Sequence, residues 1–246
     1  MWGVTTAIWE RYIEFKNEFW KNTISQTISP LLYMIAFGMG LGSTTQIDGH
    51  SYIQFIIPGI IALTTMNASF SSIAMSLNVQ RLFEHSFEQI IMSPTPIWQY
   101  VLGQTIGGAL RGGYSGVIVL IISAFFNADI HITPMFILVM LLNGMLFASL
   151  GVFAAINSKT HSSVSRFSTY VILPMTFLCN TFFSLDNVSG VVKFIIEVLP
   201  LTHSSRLLRD ISFLNPTNYL SLLILILYMI LFISISIYSI KKLKNL

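Results

Sequence analysis

Few side chains in this sequence are arranged for covalent chemistry. The segment Gly113-Tyr-Ser-Gly116 places a serine beside a glycine, as in the nucleophile site of an intramembrane serine protease. Such a serine needs a histidine at the same depth to accept its proton. All histidines lie in loops or at the ends of apolar stretches, namely His50, His85, His131, His161 and His203. The sequence therefore predicts no catalytic residues, and an intramembrane enzyme is an alternative that this placement disfavours.

The glycines of the same stretch have a structural interpretation. Gly103 and Gly107 form one pair four residues apart, and Gly108, Gly112 and Gly116 continue at the same spacing. Small residues at this spacing let two membrane helices approach closely. We therefore predict that these glycines are helix-packing surfaces.

Nucleotide chemistry is also not expected in this chain. Residues 38–44 contain alternating glycines followed by Ser-Thr, but a phosphate-binding loop requires GxxxxGK[ST], and its lysine is missing. The single cysteine, Cys179, excludes an internal disulfide. No cofactor and no metal site is predicted, so the energy for any pumping would come from elsewhere.

The elements that position these residues are apolar stretches of membrane-spanning length. Hydrophobic residues make up 54% of the chain and charged residues 9%, whereas soluble proteins have about 25% charged residues. A spanning helix needs about 20 predominantly apolar residues. The stretches are residues 23–47, 51–80, 97–127, 132–156, 167–185 and 217–240. We predict an all-α polytopic membrane protein with six transmembrane helices in one domain over residues 1–246, and its small net charge of +3 does not suggest nucleic acid as a partner.

The first 22 residues form a separate amphipathic pattern. Ile8, Tyr12, Phe15 and Phe19 share one helical face, and acidic residues fall on another. Tryptophans in this segment suit a membrane interface. We predict an interfacial helix over residues 1–22 in contact with membrane lipids; a helix packed on a soluble partner is the alternative.

The distribution of basic residues predicts the topology. Basic residues cluster before the first span and after the last, and cytoplasmic loops of membrane proteins are rich in Lys and Arg. Both termini are therefore expected in the cytoplasm, which requires an even number of spans. Residues 186–216 are hydrophobic but interrupted by Lys193, Glu197 and Pro200. We predict an outer re-entrant or interfacial helical hairpin there.

Residues 81–93 connect the second and third spans on the predicted cytoplasmic side. Phe83, Phe87 and Ile90 or Ile91 would share one helical face. Pro94 then favours the end of the helix at Ser93. A short charged helix between two spans could receive force from a cytosolic partner, and a plain interfacial connector is the alternative.

An ordered set of short motifs resembles the permease subunits of ABC-2 type exporters. The set contains Phe37-Gly-Met-Gly-Leu-Gly42, Tyr52-Ile-Gln-Phe-Ile-Ile-Pro-Gly59, Phe87-Glu-Gln, Ser93-Pro94, Gly107-Gly-Ala-Leu-Arg-Gly112 and Leu199-Pro-Leu-Thr202 followed by Arg206 and Arg209. The nearest resemblance is to the branch that exports lipo-oligosaccharides, polysaccharides and some drugs. One departure is that many members have Glu-x-x-Gly-Thr-x-Glu in the cytoplasmic helix, where this chain has Glu84-His-Ser-Phe-Glu88.

The resemblance implies an assembly in a cell inner membrane. Two permease copies would pair as a homodimer, and a separate ABC ATPase subunit would bind ATP and Mg²⁺. The permease would move an amphipathic or lipid-linked substrate outward by alternating access. The coupling residues would be Arg81, Phe83, Glu84, His85, Phe87 and Glu88.

The second and fifth spans would line the substrate cavity in such an assembly. The candidate residues are Met66, Asn67, Phe70, Thr176, Phe177 and Asn180. For any one of these polar residues, a hydrogen bond between helices is the alternative.

Arg111 is the one charge inside a span. Intramembrane arginines usually face protein or a water-filled cavity. A structural ion pair with an acidic residue of the N-terminal or connecting helix is one interpretation, and substrate contact is another. An ion-coupled secondary transporter would bury acidic residues in its spans, and the absence of such residues from the predicted spans argues against that class.

Overall fold

The computed structural model describes residues 2–39, 46–47, 50–126, 130–179, 181–183 and 189–244. Its α-helices are α1 Trp2–Asn17, α2 Phe19–Tyr33, α3 Tyr52–Leu82, α4 Ser86–Met92, α5 Ile97–Ala124, α6 Pro134–Asn157, α7 His161–Phe167, α8 Leu173–Leu178, α9 Gly190–Val198, α10 Pro200–Ser212 and α11 Tyr219–Lys244. The strands β1 Gln46–Ile47 and β2 His50–Ser51 form a short antiparallel pair. The predicted all-α membrane class is confirmed.

Within the described ranges, four helices are long and apolar enough to cross a membrane: α3, α5, α6 and α11. The first and fifth predicted spans are helical over part of their described residues, and each contains a π-helical segment. Helix α2 continues into a π-helical segment, Met34–Met39, and the π-helical segment Ser168–Ile172 joins α7 to α8. A π-helical turn has a wider hydrogen-bond spacing and is common at functional sites. The count of six spans stays a prediction.

Helix α3 is the centre of the bundle and packs against α5 and α6. Glycines also let α5 and α6 approach each other closely. A Cβ at Gly108 would lie 2.6 Å from Ala148 Cβ, and one at Gly144 would lie 2.9 Å from Ala109 Cα. The predicted packing role of the α5 glycines is confirmed, because side chains at these positions would separate the helices.

Helix α1 packs against α5, a contact that the sequence analysis did not predict. A Cβ at Gly103 would meet Ala7 and one at Gly107 would meet Arg11, so α1 and α5 run side by side over this length. The ring centre of Phe15 lies 5.0 Å from that of Tyr114 in α5, so Phe15 packs on protein rather than on a membrane surface. The chain leaves helical geometry at Glu18, which has φ −112° and ψ 19°. The sequence shows two faces of this helix but not which one packs on protein.

The exposed aromatic residues described in the N-terminal region are Trp9, Tyr12, Phe19 and Trp20. Amphipathic aromatic side chains of this kind favour the membrane interface. Residues 1–22 as an interfacial element thus stay a prediction, now with one face packed on α5.

The predicted outer hairpin corresponds to α9 and α10, which meet at Leu199 and Pro200; residues 184–188 lie outside the described part. Helix α9 is mostly exposed, whereas α10 is almost entirely buried against α3, α6 and α11. Arg209 of α10 donates from Nε to the backbone oxygen of Phe55 at 3.1 Å, and its guanidinium carbon lies 3.7 Å from the centre of the Phe55 ring. Ser205 donates to the backbone oxygen of Cys179 at 3.0 Å. Helix α10 therefore ties α3 to the end of α8.

The predicted cytoplasmic helix is shorter than expected. Helix α3 ends at Leu82, α4 starts at Ser86, and His85 between them has a left-handed φ of 55°. This break turns Phe83 outward, where it is 66% exposed, while Phe87 is 2% exposed. The expectation that Phe83 and Phe87 share one face is therefore wrong, because it assumed a continuous helix.

Candidate functional site

A cavity of about 600 Å³ lies between α1, α2, α3, α5 and α8. Its wall is unusually polar for a site among apolar helices. The polar members are Glu14, Glu18, Asn22, Ser25, Gln26, Ser29, Tyr33, Thr64, Asn67, Ser71, Ser72, Ser76, Arg111 and Thr176. Hydroxyl and amide groups can both donate and accept hydrogen bonds, so this wall could bind the polar part of a ligand.

The structure brings together two of the six predicted cavity residues. Asn67 and Thr176 line the cavity, and each also donates a hydrogen bond to its own helix, to Leu63 at 3.1 Å and Ile172 at 3.1 Å respectively. Their oxygen atoms keep further capacity to accept hydrogen bonds. Substrate contact by Asn67 and Thr176 stays a prediction.

Three of the other predicted cavity residues lie away from this wall. Met66 and Phe70 are fully buried in the core, and Phe70 stacks on Phe167 with ring centres 5.9 Å apart. Phe177 is exposed and is not part of this wall, and Asn180 lies outside the described residues.

The sequence interpretation missed the contribution of the N-terminal elements to the cavity. Asn22, Gln26, Ser29 and Tyr33 of α2 line it at the spacing i, i+4, i+7 and i+11. That spacing marks one face of a helix, and three of the four residues lie in the first predicted span. A polar face on a spanning helix therefore indicated this wall.

Arg111 takes its partners from the N-terminal elements. Its Nη2 donates to Asn22 Oδ1 at 2.6 Å, its Nη1 lies 3.9 Å from Glu14 Oε1, and its guanidinium carbon is 5.8 Å from the centre of the Phe15 ring. The structure therefore contains an ion pair with an acidic residue of the N-terminal helix, one of the two interpretations of Arg111. Arg111 also borders the cavity, so substrate contact stays a prediction.

A second group of polar side chains joins α1 to α3 and α5 close to the cavity. Arg11 is 6% exposed and donates to Glu14 at 2.7 Å and to Glu10 at 3.0 Å, and it also donates to Ser76. Gln104 of α5 donates to Glu10 Oε2 at 3.3 Å. Buried charges are tolerated when they are paired and hydrogen-bonded. This network holds α1 against the spans.

Replacing Arg111 with alanine is expected to destabilise the fold by about 1.5 kcal/mol, because the hydrogen bond to Asn22 and the ion pair to Glu14 are both lost. Transport should fall with it. The unfolding free energy in detergent and the transport rate are the measurements, with Arg111→Lys as a control that keeps the charge. Wild-type stability and transport by Arg111→Ala would show that Arg111 contributes to neither.

The predicted coupling residues are found around α4 with different roles. Arg81 donates to the backbone oxygens of Ala155 at 3.1 Å and Ser158 at 3.0 Å, and to that of Ile156, so it caps the end of α6. Phe87 is buried beside Tyr100 of α5, with ring centres 6.2 Å apart. Arg81 therefore joins the end of α3 to the end of α6, and Phe87 holds α4 against α5.

The remaining coupling candidates are accessible. Phe83, Glu84, His85 and Glu88 are exposed, and His85 Nδ1 lies 3.3 Å from Glu88 Oε1. A cavity of about 660 Å³ opens between α4 and the end of α11, and its wall includes His85, Glu88 and Lys244. This concave surface could accept a protein partner.

His85 lies three residues before Glu88, where the Glu-x-x-Gly-Thr-x-Glu pattern has glycine. A left-handed φ costs a residue with a Cβ about 1 kcal/mol, and glycine adopts it freely. His85→Gly is therefore expected to slow amide hydrogen exchange in α4 about threefold or more, equivalent to ~0.7 kcal/mol. His85→Ala, which keeps the Cβ, should show no such slowing. Equal exchange in both variants would contradict the argument from backbone strain.

Among the described residues, no group of three or more His, Cys, Asp and Glu side chains could hold a metal ion.

Comparison with known proteins agrees with this arrangement. The family model described as ABC-2 type transporter matches residues 4–213. Inner membrane transport permease YadH of Escherichia coli K12 is 30% identical over 187 residues, covering 75% of this chain and 73% of the relative. Nodulation protein J of Rhizobium meliloti strain 1021 is 27% identical over 219 residues, covering 88% of this chain and 84% of the relative. Nodulation protein J of Neorhizobium galegae is 26% identical over 244 residues, covering 94% and 91% of the two chains. The chain belongs to the ABC-2 type transporter family and is a membrane component of a transport system.

Proposed function

We propose that this chain is the transmembrane permease subunit of an ATP-driven exporter. The observation that carries the proposal is the polar cavity of about 600 Å³ between the helices of a transporter family member. A polar cavity in a membrane protein is costly unless it has a function, and binding a transported molecule is that function here. A separate ABC ATPase subunit binds ATP and Mg²⁺ and supplies the energy.

The surface around α4 is the proposed contact with the ATPase. Phe83 is exposed at the turn before α4, whereas Phe87 is packed beside Tyr100 at the beginning of α5. A push on the exposed side of α4 would therefore be transmitted to both α3 and α5. If closure of the ATPase is to move the spans, α4 must be held rigidly against them.

The proposed orientation places both termini in the cytoplasm and the α9–α10 hairpin at the outer side of an inner membrane. This orientation rests on the basic residues at both ends of the chain. The relative named inner membrane transport permease supports the location. The ATPase then reaches α4 and the end of α11 from the same side.

A second copy of the chain is proposed to complete the transport pathway. Apolar side chains are exposed on α2 and α8, two of the helices that border the cavity, among them Ile28, Leu173 and Phe177. The proposed substrate is amphipathic or lipid-linked, because the cavity wall offers hydroxyl and amide groups and the surrounding helices are apolar. A drug, a glycolipid and a polysaccharide all fit this description.

The proposal is tested by two exposed phenylalanines at opposite ends of the bundle. Phe83 is 66% exposed near α4, and Phe125 is 83% exposed just beyond α5. If Phe83 contacts the ATPase, Phe83→Ala should weaken ATPase binding and ATP-driven transport about tenfold, as for an interface residue worth ~1.4 kcal/mol. Phe125→Ala should retain both.

Three outcomes, one of this experiment and two of separate assays, would contradict the proposal. Equal effects of the two substitutions would remove the α4 surface from coupling. Hydrolysis of ATP by the purified chain alone would refute the division between two subunits. Transport driven by an ion gradient without ATP would favour an ion-coupled secondary transporter.

A further inference from the structure

An apolar groove of about 480 Å³ runs between α1 and α5. Ile8, Trp9, Tyr12 and Phe15 form one wall, and Leu110 and Tyr114 are on the other. Trp9 and Leu110 are more than half exposed, so the groove opens to the outside of the bundle. One end is closed by the edge-to-face contact of Phe15 with Tyr114.

The groove adjoins the polar cavity through two shared side chains. Arg111 and Ser72 line both the groove and the cavity. The two spaces therefore meet at the wall that these side chains form, one space apolar and the other rich in hydroxyl and amide groups. A single amphiphilic molecule has the same two parts, an apolar chain and a polar head.

Two arginines at this wall each have a buried N–H donor without a hydrogen-bond partner among the described residues. Arg11 borders the groove and is 6% exposed, and within the described residues its Nε has no hydrogen-bond partner. The Nε of Arg111 is likewise buried without a partner in this part of the chain. Buried donors of this kind normally find an acceptor. A polar group of a ligand at the junction of groove and cavity would supply one.

We propose that the α1–α5 groove holds the hydrocarbon chain of the transported amphiphile, while its polar head lies in the cavity beyond Arg111 and Ser72. The inference rests on the proposed function and adds the place and chemistry of substrate binding. The predicted substrate has an alkyl chain joined to a head with several hydroxyl or amide groups. Helix α1 becomes part of the binding site as well as a support for the spans.

The test uses dodecyl maltoside with a photoreactive diazirine near the end of its chain. The full-length protein is placed in phospholipid nanodiscs without ATPase or ATP, and labelled positions are mapped by mass spectrometry. The label is expected on α1 and α5 within the groove. Because no energy source is present, labelling can succeed when ATPase coupling fails, and coupling can be measured when labelling fails.

Filling the groove provides matched variants. Ile8→Trp and Leu110→Trp place a larger side chain in the groove from opposite walls, whereas Ile13→Trp makes the same change at an exposed position of α1 that does not line it. The first two should lower groove labelling about tenfold, equivalent to ~1.4 kcal/mol of binding. Ile13→Trp should retain labelling.

The head-group part of the proposal has its own variant. Asn67→Leu removes a polar group from the cavity wall, well away from the groove lining. It should lower groove labelling by the maltoside about fivefold, the loss expected for one hydrogen bond of ~1 kcal/mol. Unchanged labelling by this variant would overturn the placement of the head in the cavity.

A phospholipid carrying the same diazirine distinguishes a substrate site from a bilayer-lipid site. It should label exposed residues of α11, such as Leu223 and Leu227, at least as strongly as the groove. Preferential labelling of the groove by the phospholipid would overturn the assignment to substrate. Equal maltoside labelling in Ile8→Trp, Leu110→Trp and Ile13→Trp would overturn the groove itself as a binding site.

Discussion

Replacing Gly112 with alanine is expected to lower the free energy of unfolding by about 3 kcal/mol, the upper range for overpacking a well-packed core. A Cβ at this position would lie 2.8 Å from the backbone oxygen of Thr65 and would overlap the hydroxyl of Ser69. The hydroxyl can rotate, but the carbonyl cannot move without separating α3 from α5. Titration of the purified protein with a denaturing detergent measures the change.

Gly113→Ala is the matched control for this prediction. The nearest atom to its added Cβ is the flexible Leu141 Cδ2 at 3.2 Å. Both substitutions gain about 1 kcal/mol of helix propensity, so the control should be neutral or stabilising. If Gly112→Ala is as stable as Gly113→Ala, the close approach of α3 and α5 is not as described.

Replacing Arg209 with methionine is expected to destabilise the protein by about 3 kcal/mol, because it removes a hydrogen bond from a charged donor and a cation–π contact. Arg209 is 8% exposed and bonds the backbone of α3 at Phe55. Pro58 lies three residues further along, and its lack of an N–H weakens the hydrogen bonding of α3 itself. Transport should also fall, because α10 joins α3 to α8, both of which border the cavity.

Arg206→Met on the same helix is the control. Arg206 is 28% exposed and lies 3.7 Å from Glu197, and surface ion pairs of this kind contribute at most about 1 kcal/mol. Its effect on stability should therefore remain below about 1 kcal/mol. A similar loss in both variants would show that Arg209 has no special role in holding α3.

Hydropathy and glycine spacing were sufficient to predict the central bundle. The helices α3, α5, α6 and α11 agree with four of the predicted spans, and Gly108 and Gly112 lie at helix contacts as expected. These features depend on composition over many residues, so no tertiary information was needed.

The packing of α1 and α10 against the central helices could not be predicted from hydropathy and glycine spacing. Helix α10 buries Thr202, Ser204 and Ser205, which a hydropathy pattern would place on the surface. Their hydroxyls donate to nearby backbone oxygens, for example Thr202 to Ile196 at 2.6 Å, so burial leaves them satisfied. The break before α4 could not be predicted either, because it contains neither glycine nor proline. His85 takes the left-handed conformation there.

The candidate site was predicted only in part for a similar reason. Asn67 was identified because it is polar within an apolar span. The part of the wall formed by Glu14 and Glu18 was missed because both residues precede the first predicted span and were assigned to an interfacial helix. Only the fold of the N-terminal elements onto α5 brings these residues to the cavity.

The central claim is that this chain forms a passage that is driven by an ATPase on another chain. The most direct measurement is ATP-dependent movement of a labelled amphiphile in proteoliposomes that contain this chain, its separate ATPase, or both. We predict movement only when both are present, and movement about tenfold slower when Phe83 is replaced by alanine at an ATPase concentration well below saturation. ATP-dependent movement by this chain alone would contradict the account.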